Sequence, residues 1–211
     1  MTPTREEMRR ALVQRHGREV QEKLEAATVA VCGLGGLGSH VAPALARAGI
    51  GRLILIDFDR VDLSNLHRQQ YKTEQLGRFK TEALADNIRE IAPYTELVTF
   101  TEKMTEENCG RLLAGADVIC EAFDRPEAKA MLVNTVCEQL PGRFLVAASG
   151  MAGFGPANTI RTRRLTDHFY LCGDGVSSVE EEEGLVCSRV MLCAAHEAHA
   201  VIRIIAEKFE V

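Results

Sequence analysis

The chain reads as an α/β protein: a doubly wound, mostly parallel sheet with helices on both faces. Three observations predict it. Short aliphatic, partly β-branched runs alternate with segments of helical spacing along the length. A glycine turn, Gly33-Leu34-Gly35-Gly36-Leu37-Gly38, follows the first such run and precedes a helical segment. An acid, Asp57, ends the second run. Strand, glycine turn, helix, strand and acid in that order describe a Rossmann-like arrangement, in which ligands sit beyond the carboxyl ends of the strands.

Residues 6–26 are polar and rich in helix formers. Leu12, Val13, Val20 and Leu24 fall at roughly helical spacing, so 1–26 is expected to form a helical arm. Thr28–Cys32 is a buried strand ending at glycines. Residues 40–48 form a helix that tolerates Pro43 only near its first turn. The second strand is 53–56. Residues 79–91 are helical and stop before Pro93. Strands follow at Glu96–Phe100, 117–120 and Phe144–Ala148, with helices at 106–113 and from 125 to about 139. A sixth strand is expected at 159–162, and a last long helix from 189 to about 208. The stretch from about 165 to 188 is expected to be a mobile loop.

A length of 211 residues suits one domain over 1–211. Apolar residues at 46% and charged residues at 26% are those of a globular protein, which excludes disordered, collagenous and coiled-coil classes. The net charge of -5 carries no sign of the basic patch that holds nucleic acid, so none is expected as a partner. No apolar stretch is long enough to span a membrane, and the N-terminus lacks the apolar core of a secretory signal. Seven irregularly spaced cysteines without a C-x-x-C fit reduced thiols in a cytoplasm better than a disulfide scaffold.

The glycine turn supplies the first chemistry. Gly33 permits the tight turn, Gly35 and Gly36 leave the backbone open to a phosphate, and Gly38 lets the helix pack closely on the strand. Asp57 suits ribose hydroxyls. The turn alone does not separate NAD from ATP, and a turn used only for packing is the plainer alternative. No G-K-[ST] follows, so it is not a Walker A loop. The next segment is a polar loop carrying Ser64, Asn65 and Arg68, with Lys80 opening a helix. Basic side chains there suit a triphosphate, because they can neutralise charge on a leaving pyrophosphate. Solvated surface charge is the alternative for either one alone.

G-L-G-G-L-G-S, then L-I-D-F-D-R-V-D-L-S-N-L-H-R-Q, then the helix-opening lysine, resembles the ThiF/MoeB family of adenylyltransferases, relatives of ubiquitin-activating enzymes. The match runs from about residue 20 to 150. The length and Tyr170-Leu171-Cys172-Gly173-Asp174-Gly175 are similar to a short branch of ThiF proteins assigned to thiamine biosynthesis. The resemblance implies an enzyme that uses ATP and Mg²⁺ to adenylylate the C-terminal glycine carboxylate of a ThiS-like sulfur carrier. Pyrophosphate leaves, and a sulfur donor then gives a thiocarboxylate. It implies Gly36 at the phosphates, Asp57 at the ribose, Ser64, Asn65 and Arg68 around the phosphates, Lys80 on phosphate, and Asp124 on Mg²⁺. A cap for the helix from 125 is the alternative for Asp124. It also implies a homodimer, with an arm arginine, best Arg15 among Arg9, Arg10 and Arg15, reaching the partner's ATP. A MoaD-like carrier or a tRNA substrate stays open within the family, and an NAD-dependent oxidoreductase outside it.

The chain departs from the family in places. The two C-x-x-C pairs that hold zinc in longer members are missing, and Cys187, Cys193, His196 and His199 lack zinc spacing, so no zinc is expected. Arg125 stands where Asn is usual, and Glu121 where Asp is usual. Cys172, in the expected loop, is a candidate for a covalent acyl link to the carrier, but the acidic run Glu180–Glu183 and Asp174 would oppose a thiolate. That run reads as a solvated stretch rather than a docking patch. The loop itself is expected to cover the carrier tail.

Overall fold

The computed structural model describes residues 2–178 and 184–211; the glutamate run falls outside them. The arm is two helices, α1 (Arg5–His16) and α2 (Arg18–Ala26), rather than one. Gly17 separates them at φ +89°, where a side chain would be strained. Then come β1 (Thr28–Cys32), α3 (Gly38–Ala48), β2 (Arg52–Ile56), α4 (Lys80–Ile91), β3 (Glu96–Phe100), α5 (Glu106–Leu112) and β4 (Val118–Glu121). The chain continues through α6 (Pro126–Gln139), β5 (Phe144–Ala148), β6 (Arg161–Arg164), β7 (Phe169–Gly173) and α7 (Cys187–Ile205). α3 begins two residues before its expected start, so Pro43 lies in its second turn.

The seven strands form one sheet in the order β3-β2-β1-β4-β5-β7-β6. Every neighbouring pair is parallel except β6 with β7. The strand order reverses between β1 and β4, which opens a crevice at their carboxyl ends. The period of two divides each central strand between two cores. Val29 and Val31 face one side, with Leu24 of α2, Leu45 of α3, Leu84 of α4 and Val201 of α7. Ala30 and Cys32 face the other, with Cys109 and Leu112 of α5 and Leu132 and Val136 of α6. Each such leucine, fully buried, stabilises the fold by about 1.5–3 kcal/mol.

The expected loop at 165–188 is corrected by β7. Residues Phe169–Gly173 pair in parallel with β5 and antiparallel with β6, and Tyr170 and Cys172 are buried. β7 satisfies the backbone edge that β5 would otherwise expose, and β6 becomes the outer strand. The Tyr170 hydroxyl donates to the carbonyl of Phe209 at 3.0 Å, which ties the C-terminal tail to the sheet. Among the described residues no helix is long and apolar enough to cross a membrane.

α7 carries an acid into the core. Glu197 is fully buried, and neither carboxyl oxygen has a hydrogen-bond partner among the described residues. Burial, and then the Glu121 carboxylate, hold its pKa well above the ordinary 4.5. The native state therefore keeps a proton that the unfolded chain releases, so this group's contribution to stability falls as pH rises above about 4.5. Glu197→Gln is expected to be more stable than the parent at pH 7.5, with a smaller advantage at pH 5; urea unfolding at the two pH values measures it.

Candidate nucleotide-binding site

The glycine turn leaves β1 at the reversal point. The Gly33 N–H donates to the Ile56 carbonyl at 2.8 Å, so the turn is tied to the end of β2. A Cβ at Gly33 would stand 2.8 Å from the Ala122 oxygen, and one at Gly38 would overlap the Gly33 carbonyl oxygen. Both positions therefore exclude any side chain. A Cβ at Gly36 would lie 3.1 Å from Val190 and 4.0 Å from Nε of Arg68. Arg68 thus stands over the turn, and the start of α7 forms its other wall. The N–H groups of Gly35, Gly36 and Leu37 have no backbone or side-chain acceptor among the described residues. They are the donors a helix start offers an anion.

Asp57 organises the turn from the end of β2. Its carboxylate accepts from the N–H of Leu34 at 2.6 Å and of Asp59 at 2.7 Å. Burial raises its pKa, opposed by the Lys80 charge and by these two N–H groups. The Tyr71 hydroxyl donates to the Leu34 carbonyl at 2.7 Å. Lys80, first residue of α4, has a side chain only 5% exposed; its Nζ donates to Asp59 Oδ2 at 2.9 Å.

The polar loop is ordered by its own bonds. Asp62 Oδ1 accepts from the Ser64 N–H at 2.8 Å and from its hydroxyl at 2.5 Å, which hold that carboxyl below its ordinary range. Asn65 Nδ2 donates to Ser64 Oγ at 3.0 Å, and Arg68 Nη1 to the Ser64 carbonyl at 3.2 Å. The Gln70 N–H donates to Ser39 Oγ at 3.1 Å, and His40 Nε2 meets the Arg68 carbonyl at 3.1 Å, so the loop is docked on α3. Ser64, Asn65 and Arg68 are therefore one connected group, and Arg68 joins it to the glycine turn.

Asp124 comes from the turn between β4 and α6. The Phe123 ring edge would lie 3.0 Å from a Cβ at Gly33, so this turn lies against the glycine turn. The capping reading of Asp124 is corrected: α6 begins at Pro126, its cap is Arg125, and no side chain caps it. Asp124 is exposed and makes no hydrogen bond or ion pair among the described residues. No group of three or more metal-ligating side chains gathers there or elsewhere among those residues. One free carboxylate fits Mg²⁺, which commonly takes one or two carboxylates and completes its shell with phosphate and water.

Arg15 is not brought to this group. It is exposed on α1, whose Leu12 lies against Gly49 and whose preceding Pro3 carbonyl accepts from the Tyr94 hydroxyl at 2.8 Å. Those contacts are at the amino-terminal ends of β2 and β3, opposite the glycine turn. Arg9 is occupied by Glu25 at 3.0 Å.

Cys172 does not have the environment of an acyl-carrying thiol. It is fully buried in β7, and burial pushes its pKa up to about 12. Cys193 is also buried, His196 bonds Thr162 at 2.9 Å, and Cys187 Sγ points to Met191 Sδ at 3.7 Å.

A clamp that the sequence did not signal borders the site. Arg189, 6% exposed, donates to Asp174 at 2.5 Å, to the Ala152 carbonyl at 3.0 Å and to the Gly155 carbonyl at 2.8 Å. Burial pushes the Asp174 carboxyl up, but the N–H groups of Ser177 and Val176 and the guanidinium carry it down to about 2. The residue after Arg189 is the valine against Gly36. Its partners lie far away in sequence, which is why no local pattern marks it.

The sequence profile of the ThiF family matches residues 8–207. The chain belongs to the ThiF family. An adenylyltransferase and sulfurtransferase (UBA4) of Lodderomyces elongisporus is 35% identical over 136 residues, covering 64% of this chain and 30% of that protein. The MOCS3 adenylyltransferase and sulfurtransferase of Caenorhabditis briggsae is 36% identical over 130 residues, 61% of this chain and 32% of its own. The chain thus spans about a third of these curated relatives. Among solved structures, the ATP complex of the E. coli tRNA N6-threonylcarbamoyladenosine dehydratase TcdA superposes with a TM-score of 0.87 at 21% identity, covering 99% of this chain and 98% of that one. E. coli MccB with ATP superposes with a TM-score of 0.71 at 23% identity, covering 90% of this chain and 59% of its own. Both share the fold.

Two outcomes follow from this ThiF-family geometry. Gly38→Ala is expected to lower unfolding stability by about 1–3 kcal/mol through overpacking, as read by urea titration. Under native conditions iodoacetamide is expected to label exposed Cys137 and leave Cys32 and Cys172 unmodified until urea is added; peptide mass spectrometry identifies the sites.

Proposed function

We propose that this chain adenylylates the C-terminal glycine carboxylate of a ThiS-like sulfur carrier, at the expense of ATP. The observation that carries the reading is that Gly36 with Arg68 over it, Asp57 with the buried Lys80 beside it, and the turn bearing Asp124 follow the carboxyl ends of the adjacent strands β1, β2 and β4. Family membership supports it, as do the adenylyltransferase names of the two curated relatives. The TcdA structure that superposes is a complex with ATP, which supports ATP rather than NAD as the nucleotide.

The chemistry needs positioning and charge neutralisation. An ionised carboxylate oxygen of the carrier forms a bond to the α-phosphorus, and the bond from that phosphorus to the bridging oxygen breaks. Pyrophosphate carries away the electron pair, and no proton moves, so no general base is required. The open N–H groups of the glycine turn receive phosphate oxygens. Asp57 holds the turn and accepts from ribose hydroxyls through its remaining lone pairs. Lys80 shifts its charge from Asp59 to phosphate, and Arg68 covers the leaving group, while Ser64 and Asn65 line its side. Mg²⁺ held by Asp124 would supply further neutralisation of the pyrophosphate. Arg15 serves the ATP of a second copy in a homodimer. A sulfur donor protein then converts the acyl adenylate to the thiocarboxylate used in building the thiazole of thiamine.

A second reading places the carboxylate on a tRNA nucleoside. The overlap with TcdA, a tRNA dehydratase by name, over 99% of this chain and 98% of that one favours it.

Incubation with ATP, Mg²⁺ and a Gly-Gly-terminated carrier is expected to add an AMP mass to the carrier, read by intact-protein mass spectrometry. No adduct and no carrier-dependent ATP–pyrophosphate exchange, with exchange stimulated instead by tRNA, would select the second reading. Mg²⁺–ATP is expected to raise the melting temperature where NADH does not. Lys80→Ala and Arg68→Ala are each expected to lower kcat/KM at least tenfold, about 1.4 kcal/mol in barrier. Asp124→Ala is expected to keep its melting temperature and lose adenylylation.

A further inference from the structure

Asp124 makes no side-chain bond among the described residues, so the backbone of its turn must fix it. What fixes that backbone starts on α6. Lys129 Nζ donates to Glu121 Oε2 at 2.9 Å, to Glu121 Oε1 at 3.1 Å and to the Ala148 carbonyl at 3.0 Å. Three donors are all an ammonium has, and all three go to the last residues of two adjacent parallel strands, β4 and β5. Glu121, 1% exposed, in turn accepts from the Phe123 N–H at 2.8 Å, one residue before Asp124. On the far side of the turn, the Lys129 N–H bonds the Arg125 carbonyl at 3.0 Å. That bond is the opening i→i−4 bond of α6, so it is the ammonium, through Glu121, that ties the start of the turn to the strand ends.

We propose that Lys129 is a positioning residue for the adenylylation assigned above: through Glu121 it fixes the turn 122–125 and so aims Asp124 at the nucleotide phosphates. The proposal rests on that functional reading. A buried ion pair is by itself weak evidence of stabilisation, since desolvation offsets much of the attraction. Here the partners, not the pair, are informative. The second buried acid near the ammonium, Glu197, receives no bond from it, although its oxygens are unsatisfied. The ammonium is committed to the strand ends and the turn.

The test compares wild type with Lys129→Met, Lys129→Arg and Glu121→Gln. The last keeps the shape of the side chain if the methionine variant folds poorly. The first readout needs neither nucleotide nor carrier: hydrogen exchange of the Phe123 amide. It is expected to quicken at least tenfold in Lys129→Met and Glu121→Gln, with amides of β1 and α4 unchanged, and to return towards wild type in Lys129→Arg. The second readout is Mg²⁺ dependence. The Mg²⁺ concentration for half-maximal adenylylation is expected to rise at least threefold in Lys129→Met, while ATP binding in EDTA stays within twofold. Glu197→Gln is expected to match wild type in both. Wild-type exchange at Phe123, or uniform acceleration across the sheet, overturns the proposal. So does an unchanged Mg²⁺ dependence. A wild-type protein that adenylylates nothing overturns the functional reading and Lys129's part in it; the exchange result then still decides whether Lys129 holds the turn.

Discussion

The missing side chain of Gly38 is the constraint on which the site depends. Its absence lets the Gly33 carbonyl occupy the space where a Cβ would stand, so α3 starts directly on the end of β1. The N–H groups of Gly35, Gly36 and Leu37 are left without an acceptor among the described residues. Everything else braces this arrangement. Asp57 holds the Leu34 N–H from the β2 side, Tyr71 holds the Leu34 carbonyl, and the Ala122 carbonyl closes over Gly33 from the β4 side. An acid in that bracing role carries a cost of burial, seen in its raised pKa, and the Lys80 charge offsets part of it.

Charge is distributed by the same logic across the rim. Three strand ends on this edge carry or adjoin a carboxylate: Asp57 after β2, Glu121 at β4 and Asp174 after β7. Each accepts backbone N–H groups of the loop that follows it. Cations from elsewhere in the chain then meet them: Lys80 beside Asp57 and on Asp59, Lys129 on Glu121, Arg189 on Asp174. The loops are thereby held by charge-assisted bonds at strand ends, where sheet hydrogen bonding stops. Asp124 and Arg68 differ from these groups. Among the described residues neither has an ion-pair partner, which leaves their charge available to a ligand.

The sequence made the central part of this arrangement legible. The Thr28–Cys32 strand, the glycine turn, Asp57 and the lysine at the head of α4 are local patterns, each fixed by backbone geometry that only certain residues satisfy. β7 was hidden because Phe169–Gly173 is short, alternates imperfectly and sits among glycines that signal a loop; its strand character comes from β5, which it pairs with across more than twenty intervening residues. The ion pairs Lys129–Glu121 and Arg189–Asp174 were hidden for the same reason. Their geometry is a property of neighbouring strand ends, not of spacing along the chain. Gly17, which divides the arm, was visible as a glycine but not as a break, since the polar segments on both sides carry the same helical pattern.

The arm bears on the homodimer proposed above. α1 lies at the amino-terminal edge of the sheet, held by Tyr94 and by Leu12 against Gly49, and the glycine turn lies at the carboxyl edge. A five-residue strand such as β1 separates those edges by about 16 Å at roughly 3.3 Å per residue. An arginine side chain anchored on α1 does not cross that distance through a packed core. Arg10 and Arg15 stand exposed there without an acidic hydrogen-bond partner, whereas Arg9 is engaged by Glu25 and Glu22. An arm arginine that acts on nucleotide phosphates therefore acts on those of a neighbouring molecule. In the proposed homodimer each nucleotide site would then be shared by two chains.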